Sequence, residues 1–129
     1  MAKSQFGVLQ PNITRTYTGD VALSAGVAVG AGAAVASVAL PGAQGSRAVG
    51  VTALATINPG DPVPVIELGE VTAIAAVPIA RLQWVQVNDA TGQLSPAPAV
   101  LGTEVVGLAL EAAVNAGDEF LLFVIPQRV

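Results

Sequence analysis

The sequence predicts an all-β fold: a small barrel-like or β-tulip-like domain made of many short strands. The first observation behind this prediction is frequent chain breaking, with 14 Gly and 9 Pro in 129 residues. The second is an apolar content of 53% beside only 11% charged residues, which is too apolar for a disordered chain. The third is a strand–turn–strand pattern that occurs twice.

The repeated pattern covers residues 49–66 and 106–123. At an offset of 57 positions, VGVTALATINPGDPVPV matches VGLALEAAVNAGDEFLL. Each copy reads as a strand, an Asn-x-Gly-Asp turn and a second strand, because Asn and Asp bond to nearby backbone and Gly adopts positive φ freely. Gly50 and Gly107, inside the first strands, indicate bulges or close backbone approach. The predicted turn residues are Asn58, Gly60 and Asp61 in the first copy and Asn115, Gly117 and Asp118 in the second.

The sequence predicts an extended N-terminal arm at residues 1–13 and a single β-rich domain at residues 14–129. In the arm, Phe6 and the Val8-Leu9 pair are apolar anchors among polar residues, and Pro11 restricts the backbone. An arm of this kind either docks on a neighbouring protein or frays.

Strand-forming residues between Gly and Pro breakers define the elements of the domain. In the first half these are strands at 14–18, 21–29 and 47–54, with a loop at 41–46 and an NPGDP turn at 58–62. In the second half they are strands at 63–67, 71–77, 79–87, 104–110 and 119–125, with a hairpin turn at 88–93 and Pro126 ending the last strand. Segment 104–115 has helix-favouring residues. However, Gly107 interrupts it, and the corresponding segment of the first copy, 49–58, is richer in β-branched residues, so a strand followed by a turn is favoured.

The residue chemistry argues against an enzyme and against a bound cofactor or metal. There is no His and no Cys, so the serines lack a histidine base and the commonest metal ligands are missing. Asp61 and Asp118 alone do not make an EF-hand or a transition-metal site. The stretch INPGDPVPVIELGEV has the rhythm of biotinyl or lipoyl carrier domains, yet the only lysine is Lys3. A small β-clip binding module remains an alternative.

Direct binding to nucleic acid or membrane is not expected. The net charge is −4, and the five basic residues are scattered along the chain rather than clustered. Residues 21–40 are uncharged and contain a GxxxG spacing, which raises a membrane helix as an alternative. Their Ala and Gly content and period-two alternation favour strands instead.

Aromatic residues are few and mark candidate contacts with another subunit. Trp84 is the single tryptophan and either fills the core or anchors an interface. Phe120 and Phe123 have opposite strand parity, so one faces inward and the other faces solvent or a partner. Trp84, Phe120 and Phe123 are therefore the candidate oligomer-interface residues.

Residues 47–129 resemble the capsid cement, or head decoration, proteins of tailed bacteriophages. The resemblance rests on a valine-rich strand, the hairpin WVQVNDATGQLSPAP and the closing segment VVGLALEAAVNAGDEFLLFVI. It implies a homotrimer on the outer surface of the virion head that clamps neighbouring subunits of the major capsid protein and stabilises the expanded shell. It also implies that the N-terminal segment grips the capsid through Phe6, Val8, Leu9, Ile13 and Tyr17. Another phage structural subunit, in a tail or head fibre, is the alternative.

Overall fold

The structure is a computed structural model that describes residues 12–128. The described residues form nine strands and no helix, so the all-β prediction is confirmed. No helix that could cross a membrane occurs in this part of the chain. Arm residues Phe6, Val8 and Leu9 lie outside the described residues. The strands are β1 Ile13–Gly19, β2 Ala28–Ala31, β3 Ser37–Ala39, β4 Gly50–Thr52, β5 Pro62–Ile74, β6 Trp84–Val87, β7 Leu94–Pro96, β8 Glu104–Ala109 and β9 Glu119–Arg128.

Five strands close into a small barrel, here called lobe 1 (residues 13–68). Their order is β1-β3-β2-β4-β5, and β5 pairs with β1 to complete the ring. All of these pairings are antiparallel except β1 with β3, which is parallel. The interior is filled by branched aliphatic side chains, as a narrow barrel requires. These are Leu23, Val27, Val29, Val38, Val63 and Val65.

The remaining strands form lobe 2 (residues 69–128) around the second half of β5. Their order is β5-β9-β8-β6-β7, and a parallel bridge between Ala75 and Leu94 joins β7 back to the end of β5. The buried side chains inside lobe 2 include larger ones than those of lobe 1. They are Ala73, Ala75, Ile79, Val85, Val87, Leu94, Val106, Ala109, Ala113, Phe120, Leu122 and Val124.

The two lobes share one pairing scheme. Val51 lies opposite Ile66 in lobe 1, and Leu108 lies opposite Phe123, 57 positions later, in lobe 2. The hairpins β2–β3 and β6–β7 correspond at an offset of 56 positions, as do the parallel contacts at their ends. The matching pairs are Gly30–Ala39 with Gln86–Ser95, and Gly19–Val38 with Ala75–Leu94. The structural repeat therefore covers both lobes, well beyond the repeated sequence pattern.

Strand β5 belongs to both lobes, and the sequence prediction of separate strands at 63–67 and 71–77 is wrong here. The chain continues through Gly69, whose φ of +130° is open to glycine but strained for other residues. Before Gly69 the strand pairs with β1 and β4, and from Gly69 onward it pairs with β9. One strand therefore closes lobe 1 and begins lobe 2.

Three predicted strands are much shorter in the structure. The strand predicted at 47–54 is only Gly50–Thr52. The strand predicted at 21–29 begins only at Ala28, because the Thr52 hydroxyl donates to the Ser24 carbonyl and accepts from the Val27 N–H, in place of strand pairing. The strand predicted at 79–87 begins at Trp84. The three-residue strand β3 was not predicted, since it lies within an Ala-rich segment, whereas β7 is the second strand of the hairpin predicted with its turn at 88–93.

Pro126 does not end the last strand. Val105 pairs with Gln127, and Gly107 pairs with Val124, so Ile125 and Pro126 together lie opposite Val106 at a bulge. A bulge is a position where a missing backbone N–H is tolerated in a ladder. The strand therefore continues to Arg128.

Candidate functional site

The two Asn-x-Gly-Asp turns share their central geometry, and in the first the Asp61 carboxylate also accepts the Ile57 N–H at 3.2 Å. In each, one Asp carboxylate oxygen accepts the Asn backbone N–H at 2.9 Å, from Asn58 to Asp61 and from Asn115 to Asp118. The glycine between them has a φ of +88° in both turns. Each carboxylate therefore holds its own turn, and within residues 12–128 no group of three acidic side chains is placed to hold a metal ion.

A polar cleft of about 280 Å³ lies where the two lobes meet, at the start of β8 and the end of β9. One oxygen of Glu104 accepts from Arg128 Nε at 2.8 Å and from Arg47 Nη2 at 3.3 Å. Arg128, and then Arg47, lowers the pKa of Glu104 by hydrogen bonding to its charged form. Both arginines are largely exposed, so this cluster ties loop 41–47 of lobe 1 to lobe 2 at the surface.

The described members of the predicted capsid-binding segment lie in β1. Ile13 begins the strand and is exposed. Tyr17 packs against the apolar interior of lobe 1, and its hydroxyl donates to the Glu67 carboxylate. That hydrogen bond raises the pKa of Tyr17, with smaller contributions from burial and from the charge of Glu67. Tyr17 is therefore part of the folded domain and not of a free arm.

The predicted interface aromatics separate into a core residue and a surface pair. Phe120 is 1% exposed and fills lobe 2, so its side chain is not available to a partner. Trp84 lies directly opposite Leu108, which in turn lies directly opposite Phe123. Residues opposite one another on antiparallel strands share a face, so these three side chains form a row across β6, β8 and β9. Trp84 is 40% exposed, and the other two are half-buried.

An apolar groove of about 360 Å³ lies beside this row. Trp84 and Leu82 line it from β6 and the turn before it, Pro98 lines it from the loop after β7, and Val105 lines it from β8. Leu82 is 56% exposed, and the neighbouring Leu101 is almost fully exposed. We call the row and groove together the Trp84 face; its exposed or half-buried side chains are Leu82, Trp84, Pro98, Leu108 and Phe123, and Val105 lies buried at the floor of the groove.

Leu82 has an unusual backbone conformation for its residue type. Its φ is +64°, in the left-handed region that costs a branched residue on the order of 1 kcal/mol. The residue at the same place in lobe 1 is Gly26, with a φ of +77°. The two N–H groups donate to equivalent carbonyls, of Thr52 at 2.9 Å and Ala109 at 2.7 Å. Lobe 2 thus carries a large exposed apolar side chain where lobe 1 has none.

Sequence reasoning identified Trp84 and Phe123 but missed Leu82, Pro98 and Leu108. For Leu82 a signal existed in the repeat. Extended toward the N-terminus at an offset of 56, the alignment places Gly26 against Leu82 and Ala28 against Trp84. A change from small to large apolar residues at two nearby positions marks a surface at which the lobes differ.

The fold has a known counterpart. Over 92% of this chain and 98% of the other, the structure is similar to the crystal structure of the head fiber gp8.5 N base in bacteriophage phi29, with a TM-score of 0.67 and 18% sequence identity. No protein-family model matches the chain. No curated protein sequence matches it either.

Proposed function

We propose that the chain is a structural protein of a tailed-phage head, bound to the outer surface of the capsid and stabilising the shell without enzymatic activity. The observation that carries the proposal is the shared fold with a phage head-fiber base over nearly the whole of both chains. The sequence resemblance of residues 47–129 to capsid cement proteins supports it independently. Both point to the head of a phage.

In this proposal the major capsid protein is the partner, and residues 1–13 provide the grip. Phe6, Val8 and Leu9 supply apolar contacts, and the backbone before β1 can add a strand to an exposed sheet edge on the capsid. Ile13, exposed at the start of β1, marks where the gripping segment meets the folded domain. A shell binds many copies at once, so a modest affinity at each site suffices for stable attachment.

Clamping fits the physical properties of the chain. A net charge of −4 disfavours direct binding to DNA and so favours a place outside the packaged genome. Self-association into a trimer lets one assembly contact several capsid subunits, and it covers apolar surface that an Ala-rich and Val-rich domain leaves exposed. The protein then opposes internal pressure by holding neighbouring subunits together.

The test compares purified shells with and without the protein during heating. Shells carrying it should open at a higher temperature, and the double substitution F6S/L9S should abolish both binding and protection. Val114→Ser is the matched control, since Val114 is 73% exposed on lobe 2 and outside the gripping segment. Equal heat resistance of decorated and bare shells would contradict the stabilising role.

A second candidate is the base of a head fibre, because the structurally similar phage protein is a head-fiber base. A fibre base binds the head but need not stabilise it. Electron microscopy of decorated shells distinguishes the two functions when combined with the heating test. Bound protein that leaves heat resistance unchanged would favour the fibre base.

A further inference from the structure

The face of lobe 1 that corresponds to the Trp84 face is buried. Ala28, Val51 and Ile66 form the equivalent row on β2, β4 and β5, and they are 0%, 0% and 8% exposed. They belong to the same buried cluster as the interior of lobe 2. Lobe 2 therefore covers this face of lobe 1, whereas on the same face of lobe 2 Trp84 is 40% exposed and Leu108 and Phe123 are only half-buried.

Two parts of lobe 2 make the covering contact. The turn of the β6–β7 hairpin reaches β2, where the Ala28 N–H donates to the Gly92 carbonyl at 2.8 Å. The second half of β5 meets the turn before β2, where the Ile74 N–H donates to the Gly26 carbonyl at 3.1 Å. Gly92 packs so closely that a Cβ there would lie 2.5 Å from the Ala28 carbonyl oxygen. The contact between the lobes is thus tight and partly made by backbone groups.

We propose that the Trp84 face binds a second copy of this chain. The second copy contributes the surface of its lobe 1 that corresponds, in the repeat, to the lobe 2 surface that makes the contact between the lobes. That surface is the β2–β3 hairpin, residues 30–36, together with residues 16–18 of β1. Ala36 corresponds there to Gly92 and is exposed. Trp84 and Ala36 are larger than their counterparts Ala28 and Gly92, so the two copies sit further apart than the two lobes.

The backbone at Leu82 supports this assignment independently. A glycine at this position, as in lobe 1, would relieve the left-handed strain. A leucine that is strained and exposed in one copy contributes little to that copy's stability. Its side chain gains packing contacts once the hairpin of a second copy covers the groove.

The contact joins two different surfaces, so it is head-to-tail. Such contacts close into rings or continue as filaments, depending on the rotation between copies. The inference deepens the self-association within the proposed function and does not depend on binding to a capsid. Loss of shell binding with intact self-association would refute the capsid role alone.

The test is sedimentation velocity of the full-length protein and two blocked variants over a range of concentrations. Trp84→Glu places a charge on the Trp84 face, and Ala36→Glu places one on the hairpin. Each variant alone should stay monomeric at concentrations where the wild type associates, because its dissociation constant for self-association should be at least about tenfold higher. Mixed in equal amounts, they should form a dimer and nothing larger, because the mixture has one intact surface of each kind.

Val114→Glu is the matched control for an added charge on exposed lobe 2 surface. Its lobe 1 counterpart, Ile57, stays 85% exposed despite the contact between the lobes, so Val114 lies outside the proposed contact. This variant should associate like the wild type. Leu82→Gly, which introduces the residue that lobe 1 already has, tests the face without an added charge and should weaken association.

Circular dichroism of each variant establishes that it is folded before its association is compared. A wild type that stays monomeric at every concentration would overturn the proposal. Association unaffected by Trp84→Glu would do the same, as would a mixture of the two blocked variants that remains monomeric.

Discussion

Gly107 is the position where one added methyl group has the clearest expected effect on stability. A Cβ on Gly107 would lie 2.1 Å from the Phe123 carbonyl oxygen and 3.0 Å from its carbon. Non-bonded carbons do not approach backbone atoms closer than about 3.0 Å, so β8 and β9 must separate by about 1 Å. The substitution Gly107→Ala thus opens the ladder at the centre of lobe 2.

The cost follows from three contributions. Overpacking costs about 1–3 kcal/mol, and weakened ladder hydrogen bonds add about 1 kcal/mol. The lower backbone entropy of Ala in the unfolded chain returns about 0.5–1 kcal/mol. The net loss in the free energy of unfolding is about 2 kcal/mol, or a fall in Tm of roughly 8 °C for a chain of this size.

Thermal unfolding by circular dichroism measures the effect, at one low protein concentration so that self-association does not alter Tm. Gly50→Ala should behave alike, because its Cβ would lie 2.2 Å from the Ile66 carbonyl oxygen at the equivalent place in lobe 1. Gly42→Ala is the control, with no atom within 4 Å of the new Cβ, and should change stability by less than about 0.5 kcal/mol. A Gly107→Ala protein as stable as the Gly42→Ala control would refute the close-approach argument.

Three further predictions concern the turns, the core and the single tyrosine. Asp61→Ala and Asp118→Ala should each lower the free energy of unfolding in urea by about 1 kcal/mol, since each removes a turn hydrogen bond; no change in either would show that glycine alone holds the turns. Phe120→Ala should cost about 3–5 kcal/mol in the same assay, and a loss below about 1 kcal/mol would place Phe120 outside the core. The raised pKa of Tyr17 means that its contribution to stability is complete below pH 10 and is lost as the pH rises from 10 through the folded-state pKa, because the unfolded state ionises first. Absorbance titration of the tyrosinate should therefore show a higher pKa in the folded protein than in urea, and Glu67→Gln should lower the folded value; equal folded and unfolded values would contradict the Tyr17–Glu67 hydrogen bond.

Local residue chemistry was enough to predict several parts of the fold. The turn residues Gly60 and Gly117 were evident because positive φ strongly favours glycine, and the hairpin turn at 88–93 was evident from its polar and Gly-containing sequence. A glycine inside a strand predicted either a bulge or a close backbone approach at Gly107. The structure has the close approach at Gly107 and a bulge in the strand beside it. The continuation of β9 through Pro126 was missed because the bulge depends on how β8 pairs with it.

The sequence by itself determined the all-β class, the turns and the duplicated strand–turn–strand unit, because these follow from interactions between residues close in the chain. Only the tertiary structure decided that β5 is shared by two lobes and that Phe120 is buried while Trp84 and Phe123 line one outer face of lobe 2. It also decided that lobe 2 covers the corresponding face of lobe 1. Burial of this kind depends on which strands meet across long stretches of chain. Two copies of one pattern can therefore have very different exposure, which no local pattern records.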